Sequence, residues 1–210
     1  MIVAMSKAVR SLLAVFLCAA AAAAAAGGVA VQVTDAAGKP LADTVVYVDI
    51  EGSQPTNPKP ATIEQRGLKF VPLVSVIQTG AMISFPNNDK VKHHIYSFSP
   101  AKKFDQKLYS GVAAAPQVFD KAGTVVLGCN IHDRMVAYVK VVDTPYFART
   151  DADGMARIEL PAAAKATVSA WHYNMAGATA EQTVQLKGGD STPVVFKLSM
   201  KPPLADQTGQ

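Results

Sequence analysis

Cysteine, charge and helical patterning are all scarce in this chain. It has two cysteines in 210 residues, so at most one disulfide can form, and charged residues make up only 17% of it. Hydrophobic residues reach 50%, which excludes a disordered chain, because such chains bury too little apolar surface to offset their ordering entropy. The formal net charge is +4 without a long lysine and arginine cluster, and this balance argues against nucleic-acid binding.

An apolar run near the N-terminus predicts an export signal. Lys7 and Arg10 precede the run 11–26, which ends in eight alanines and offers small residues for cleavage after Ala26. The 16 residues of this run fall short of the roughly 20 that span a bilayer. We therefore predict that residues 1–26 are removed and that the mature chain, 27–210, is periplasmic and not inserted in a membrane. Cleavage lowers the net charge from +4 to +2, because two basic residues leave with the signal.

The predicted cleavage also changes the cysteine chemistry. Cys18 leaves with the signal, so Cys129 becomes the single cysteine of the mature chain. An unpaired thiol in an oxidising compartment can be oxidised or form mixed disulfides. Two reasons for its presence are open at this point. Cys129 is either a small buried apolar residue or a metal ligand.

Short valine-rich runs separated by Gly, Pro, Asn and Asp predict an all-β fold of the sandwich type. No segment after residue 26 has the pattern of a long amphipathic helix, although one helical turn is expected within 102–114. The predicted strands are 29–34, 44–50, 69–78, 81–85, 93–98, 124–128, 136–142, 156–159, 166–171, 182–186 and 194–198.

The segment that carries the chemistry is the run from Cys129 through His132 to Met135. It places a thiolate, an imidazole and a thioether within seven residues, directly after a predicted strand. His93 and His94 add imidazoles at the start of another strand. Two histidines and one cysteine in a plane, with a long axial methionine, form a blue-copper electron-transfer site. The four residue types therefore indicate such a site, with His93 or His94 as its upstream histidine.

Other interpretations of the same residues compete with copper binding. Alone, Cys129 or Met135 would be core residues, and His132 would be an ordinary loop residue. Zinc also suits cysteine and histidine, but a thioether as the fourth ligand argues against it. A nucleophilic Cys–His pair needs a third group to orient the base, and none is evident in the sequence. The combination of residue types and spacing favours copper.

These residues carry a resemblance to the cupredoxins, the plastocyanin and amicyanin type, over 68–142. The spacing Cys129-x2-His132-x2-Met135 matches the short ligand loop of amicyanins, and the Phe-Pro-Asn-Asn segment 85–88 also fits. The resemblance implies one mononuclear type 1 copper ion with His93, Cys129 and His132 as trigonal ligands and Met135 as the axial ligand. The whole arrangement is similar to exported plastocyanin-like proteins that are often labelled methylamine utilization proteins.

The upstream ligand is His93 by this resemblance. The usual sequence of the family at this point is His-Asn-Val-aromatic, with the ligand first, so His94 occupies the asparagine position. The family asparagine ties the two ligand loops together, and His94 either makes that link through a ring N–H or is itself the ligand. Strand alternation puts His93 on the same side as Ile95. We favour His93.

A second resemblance comes from the flanks of this segment. Two turn sequences, 35–38 and 151–154, both begin with Asp and end with Gly between predicted strands. The segments 31–46 and 150–161 that contain them resemble a carboxypeptidase regulatory-like, transthyretin-like β-sandwich. The large separation of the two pieces implies an insertion. The alternative is one continuous sandwich followed by a short β-module.

The predicted organisation combines both resemblances. It comprises an export signal at 1–26, a first part of the transthyretin-like module at 27–60 and a cupredoxin domain at 61–143. A second part of the transthyretin-like module follows at 144–200, with a flexible tail at 201–210. His172, beside Trp171 and Met175, suggests a second soft-metal patch, but a strand end with exposed polar tips is the favoured interpretation.

The resemblance implies a function and a class of partner. Cupredoxins carry single electrons, so the chain is expected to be a non-enzymatic, monomeric shuttle between periplasmic redox proteins, such as a cytochrome c or a dehydrogenase. In this family the loop histidine, here His132, reaches a hydrophobic docking surface and passes the electron. Copper binding or trafficking without electron transfer is the alternative function. An adhesion or carbohydrate-binding sandwich without metal is a third.

Overall fold

The structure, a computed structural model, describes residues 27–51, 56–110, 115–160, 165–185 and 193–202. Every regular element within these ranges is a β-strand, so the predicted all-β class is confirmed. The described residues include no helix with the length and apolarity needed to cross a bilayer. The predicted export signal, Cys18 and most of the predicted tail lie outside the described residues.

The strands follow the valine-rich runs closely, and Pro72 explains one difference. The predicted strand 69–78 is divided into two, because proline has no N–H to donate to a sheet. The strands are β1 Gly27–Asp35, β2 Val45–Ile50, β3 Ala61–Thr62, β4 Glu64–Gln65, β5 Phe70–Val71, β6 Val74–Gln78, β7 Ala81–Ser84, β8 His93–Ser99, β9 Lys102–Tyr109, β10 Gln117–Phe119, β11 Gly123–Gly128, β12 Val136–Val142, β13 Phe147–Arg149, β14 Met155–Leu160, β15 Lys165–Trp171, β16 Ala180–Gln185 and β17 Val194–Leu198.

The helical turn expected within 102–114 is wrong for the part that the structure describes. Strand β9 occupies Lys102–Tyr109 and pairs antiparallel with β8, from Ser99 opposite Lys102 to His93 opposite Tyr109. Lys103 is exposed while Phe104 packs against the core, which is the two-residue alternation of a strand. Pairing with β8 therefore overrides the weak local preference of this segment. Residues 111–114 lie outside the described residues.

One core lies between a five-stranded and a three-stranded sheet. The five-stranded sheet has the order β6-β12-β11-β8-β9, and the three-stranded sheet has the order β10-β7-β3. Strands β11 and β12 form an antiparallel hairpin, while β6 runs parallel to β12. The fully buried side chains between the sheets include Ile83, Ile95, Phe119, Val125, Leu127, Ala137 and Val139. Burial of this many closely packed apolar side chains makes this core a rigid part of the protein.

A second core is built from both ends of the described chain. Strands β14-β1-β17 form one sheet and β13-β2-β15-β16 form another, and their buried side chains belong to one cluster. The N–H of Thr44 donates to Oγ1 of Thr150, 106 positions further along, at 2.9 Å. Residues on both sides of the segment 61–143 thus pack together. The transthyretin-like identity of this core and the domain boundaries stay predictions.

The two turns singled out in the sequence use their aspartates on the backbone. Oδ1 of Asp35 accepts from the N–H groups of Ala37 and Lys39, both at 2.9 Å. Oδ1 of Asp151 does the same for Asp153 at 3.0 Å and Met155 at 2.9 Å. Each turn closes with a glycine at positive φ, 87° at Gly38 and 71° at Gly154. These are turns in which aspartate replaces a backbone acceptor.

Gly154 is expected to be far less replaceable than Gly38. A Cβ at position 154 would lie 2.4 Å from the carbonyl oxygen of Val33, whereas nothing lies within 4 Å of one at position 38. Gly154→Ala should lower the free energy of unfolding by about 3 kcal/mol, because it adds a backbone clash to the left-handed strain. Gly38→Ala carries only the strain, about 1 kcal/mol. Urea denaturation of both variants measures the difference, and equal losses would contradict the packing argument.

Candidate metal centre

Neighbouring strands bring the predicted ligands together at one end of the five-stranded sheet. His93 is the first residue of β8, and Cys129 follows the last residue of β11. These strands are adjacent in the sheet, with Gly128 opposite Tyr96. The loop from Cys129 to Met135, which contains His132, connects β11 to β12. Sheet pairing therefore places a histidine of one strand beside the cysteine of the next.

Three donor atoms converge at this end of the sheet. Nδ1 of His93 lies 3.9 Å from Sγ of Cys129, and Nδ1 of His132 lies 3.6 Å from the same sulfur. One donor atom from each residue falls within 4.8 Å of the others. The two imidazole rings meet edge to face, with centroids 4.9 Å apart and planes at 60°. The two imidazoles and the thiol therefore surround a common point.

The two upstream histidines point in opposite directions. His93, Ile95 and Ser97 are buried, as the alternation of a strand requires. His94 lies on the other face, where its Nε2 bonds to a carboxylate oxygen of Asp105. His93 is therefore the histidine that faces Cys129. The Nε2 of His94 is engaged with β9, so this atom does not tie the two ligand loops together.

The ligand loop is closed by its own backbone. The N–H of Cys129 donates to the carbonyl of Met135 at 3.2 Å, and the N–H of Met135 donates to the carbonyl of His132 at 2.8 Å. Cys129 is 3% exposed and Met135 is 1% exposed, so both sulfur-bearing side chains belong to the core. His132 is only partly buried. The role of Met135 as axial ligand stays a prediction.

Gly128 allows an aromatic ring to lie against the strand that leads to the cysteine. A Cβ at this position would be 2.7 Å from Cζ of Tyr96 on the neighbouring strand. Any side chain here would displace Tyr96, and glycine permits the close approach. Tyr96 and Gly128 also line a cavity of about 560 Å³ that extends to Cys129 and Met135. The backbone next to the thiol is thus covered by an aromatic ring.

Asp89 is a site residue that the sequence analysis missed. Its Oδ2 lies 2.8 Å from Nε2 of His93, the ring nitrogen that faces away from Cys129. Asp89 also accepts from the N–H of Gly67 through Oδ1 at 2.6 Å and from the N–H of Leu68 through Oδ2 at 3.0 Å. The signal in the sequence was an acidic residue four positions before the histidine. Nothing in the local pattern links Asp89 to 67–68.

The hydrogen bonds on Asp89 decide its charge. Burial alone would raise the pKa of this carboxyl, but the bonds from the Leu68 N–H, His93 and the Gly67 N–H outweigh it, so the pKa lies below its usual range. Asp89 is therefore a carboxylate at neutral pH. Its own N–H donates to Oδ1 of Asn87 at 2.9 Å.

Asn87, from the Phe-Pro-Asn-Asn segment, is the second support of this loop. It is buried, and its Nδ2 donates to the carbonyls of Val91 at 2.8 Å and Tyr109 at 3.0 Å. The hydroxyl of Tyr109 donates in turn to the carbonyl of Phe85, and burial raises the pKa of Tyr109 to about 12. The tyrosine thus stays protonated. These bonds fix the loop that precedes His93.

The donor set fits a soft or borderline transition metal. One thiol and two imidazole nitrogens are the ligand types of copper and zinc sites, and no carboxylate is part of the set. His93 is fully buried and its Nδ1 is directed at the sulfur, which suits a closed site. Within the described part of the chain, this is the one group of three such side chains positioned for a metal ion.

Among the described residues His172 belongs to no group of three His, Cys, Asp or Glu side chains placed for a metal ion, and it is not an exposed tip either. It is 6% exposed, its Nδ1 accepts from the N–H of Asn174 at 3.1 Å, and its ring stacks on Tyr173 at 4.3 Å. The favoured interpretation of exposed polar tips is therefore wrong for this residue, because the stacked ring is covered. Burial lowers the pKa of His172, which keeps it neutral at pH 7.

Comparison with known proteins gives matches among solved structures only. No family model matches the chain, and no curated protein matches it. A purple cupredoxin from Nitrosopumilus maritimus is 24% identical, covers 39% of this chain and 99% of its own, and has a TM-score of 0.35. Amicyanin from Paracoccus versutus is 15% identical, covers 46% of this chain and 98% of its own, and has a TM-score of 0.37.

A larger protein also matches part of this chain. A copper-containing nitrite reductase from Thermus scotoductus is 24% identical over 44% of this chain, with a TM-score of 0.39. The match spans only 24% of the reductase chain. An amicyanin and a purple cupredoxin, the kinds of protein that the sequence resembles, are thus among the matched structures. All three TM-scores lie below 0.5.

Proposed function

We propose that this chain is an exported type 1 copper protein that carries single electrons between redox partners. The observation that supports the proposal is that one donor atom each from His93, Cys129 and His132 lie within 4.8 Å of one another. A thiolate and two imidazoles are the equatorial donors of blue-copper sites. Met135, buried at the end of the same loop, is the fourth ligand in this proposal.

Bound copper would supply a reversible one-electron change between Cu(II) and Cu(I). The residues of the chain would hold both states in one geometry. Cys129 would hold the ion as a soft thiolate donor, and the imidazoles of His93 and His132 would hold it in either state. The backbone bonds that close the loop from Cys129 to Met135 oppose rearrangement of the ligands. Burial of His93 and Cys129 excludes water from the inner side of the site.

His132 is the proposed point at which the electron enters and leaves. It is only partly buried, whereas His93 on the other side of the cysteine is fully buried. Ile131, next to it in the loop, is an exposed large apolar residue. A partly exposed ligand beside an apolar side chain suits transient docking of a redox protein, such as a cytochrome c or a dehydrogenase. The protein would work as a periplasmic monomer and not as an enzyme.

The test is addition of copper to the mature chain, 27–210. One equivalent of Cu(II) should bind and produce an intense thiolate-to-copper band in the visible spectrum. The band should vanish on reduction and return on oxidation with no loss of copper. Release of copper to an acceptor upon reduction would favour the trafficking alternative. A colourless, copper-free protein under these conditions would contradict both.

A further inference from the structure

His93 is held from both of its ring nitrogens. Nδ1 faces Sγ of Cys129 at 3.9 Å, and Nε2 faces Oδ2 of Asp89 at 2.8 Å. The side chain of His93 has no exposed surface, and that of Asp89 is only 13% exposed. A carboxylate can only accept a hydrogen bond, so the proton of a neutral His93 belongs on Nε2. Nδ1 then presents its lone pair to the ligand cluster.

Asp89 is itself fixed before any metal binds. Both of its carboxylate oxygens accept from backbone N–H groups, at 2.6 Å from Gly67 and at 3.0 Å from Leu68. These two residues have φ angles of 63° and 56°, the left-handed conformation that is rare for leucine. Successive N–H groups in such a turn converge on one anion. The turn between β4 and β5 thus positions the carboxylate for the histidine.

We propose that Asp89 is a positioning residue that selects the Nε2-protonated tautomer of His93 and stabilises oxidised copper over reduced copper through its negative charge. The first part concerns the metal-free protein. The second part rests on the proposed function, because it requires a copper ion at Nδ1. A carboxylate hydrogen-bonded to a ligand imidazole makes that imidazole a stronger donor. The stronger donor favours the ion of higher charge.

The chain contains a matched control for this pair. His94 and Asp105 form the same kind of histidine–carboxylate contact on the opposite face of β8. Asp105 is on β9 and its side chain is 53% exposed, so its contact does not reach the ligand cluster. Asp89→Asn and Asp105→Asn therefore remove the same charge from neighbouring histidines, but only the first touches a proposed ligand.

The first experiment uses metal-free protein, 27–210, at pH 8. Two-bond ¹H–¹⁵N spectra report which ring nitrogen of each histidine carries the proton. We expect the Nε2-protonated form of His93 in the wild type and in Asp105→Asn. In Asp89→Asn the Nδ1-protonated form should become populated, because the amide oxygen cannot replace a carboxylate that serves three N–H donors. A wild-type His93 with its proton on Nδ1 would overturn the proposal, even if Asp89→Asn does not fold.

The second experiment uses the copper-loaded protein. Asp89→Asn should bind Cu(II) about 10- to 100-fold more weakly, as is typical when the hydrogen-bond partner of a ligand is lost. If Cu(I) affinity is unchanged, each tenfold loss raises the reduction potential by about 59 mV for one electron. Asp89→Glu, which keeps the charge, should restore most of the potential. Asp105→Asn should leave it at the wild-type value.

These outcomes separate the two proposals. A wild type that binds no copper would remove the electron-transfer function, while the tautomer measurement would still decide the role of Asp89. If Asp89→Asn changes the tautomer but moves the potential no more than Asp105→Asn does, the electrostatic part is wrong. If neither the tautomer nor the potential changes, Asp89 only supports the loop and the whole proposal is overturned.

Discussion

Cys129→Ser should abolish the visible charge-transfer band of the copper-loaded protein. The band requires a thiolate, and a serine hydroxyl neither ionises at neutral pH nor donates softly to copper. Loss of a direct ligand should weaken Cu(II) binding by more than the 10- to 100-fold that an outer hydrogen-bond partner contributes. The measurement is a Cu(II) titration of both proteins followed by their visible spectra.

The fold of this variant provides the control. Serine is close to cysteine in shape, and Cys129 makes no disulfide. The metal-free variant should therefore lose no more than about 2 kcal/mol of unfolding free energy, the range for burying one hydroxyl in place of a thiol. Because Cys129 is the single cysteine in 27–210, a band that persists cannot come from another thiolate of the mature chain. Such a band would contradict the proposed centre.

His93→Gly should remove the band, whereas His94→Gly should keep it. Nδ1 of His93 points at Sγ of Cys129, while the Nε2 of His94 is bonded to Asp105 on the opposite face of the strand. The two histidines are adjacent in sequence. The variants therefore test which face of β8 each side chain occupies, and not its position along the strand. Loss of the His94–Asp105 pair should cost little stability, because solvent screens the exposed carboxylate. The spectra after Cu(II) addition provide the readout.

The opposite result would have a definite structural meaning. If His94→Gly loses the band and His93→Gly keeps it, β8 presents its other face to the ligand loop. Such a change requires a register shift of one residue, which would also expose Ile95. Unfolding free energies of the metal-free variants supply the control, because His93→Gly leaves a cavity in the core and His94→Gly does not.

The choice between the two histidines shows what the sequence could predict. The resemblance named His93 as the ligand, and strand alternation placed it on the same side as Ile95. The burial of His93, Ile95 and Ser97 follows that two-residue period. The strands in the valine-rich runs were predictable because those runs are long enough to show the two-residue alternation of a strand. The short strands β3, β4, β10 and β13 were missed, because two or three residues carry no period.

The environment of His93 shows what the sequence could not predict. Asp89 bonds to His93 and is itself held by the N–H groups of Gly67 and Leu68, more than twenty positions away. That contact depends on where the turn between β4 and β5 lies in the fold, which no local pattern encodes. Strand β9 was mistaken for a helical turn for a related reason, since its state depends on pairing with β8. Pairing and packing between elements, which a local pattern does not show, account for both errors.

The two cores also imply an order of folding. The core that holds His93 and Cys129 is drawn from one continuous stretch, whereas β1 pairs with β14 and β17 near the other end of the chain. Closing a long loop costs entropy before its contacts form, so distant pairings form slowly. We therefore expect β1 and β2 to pair with their partners only after the segment between β2 and β13 has folded. The core that holds His93 and Cys129 is thus expected to fold first and to bring the two ends of the chain together.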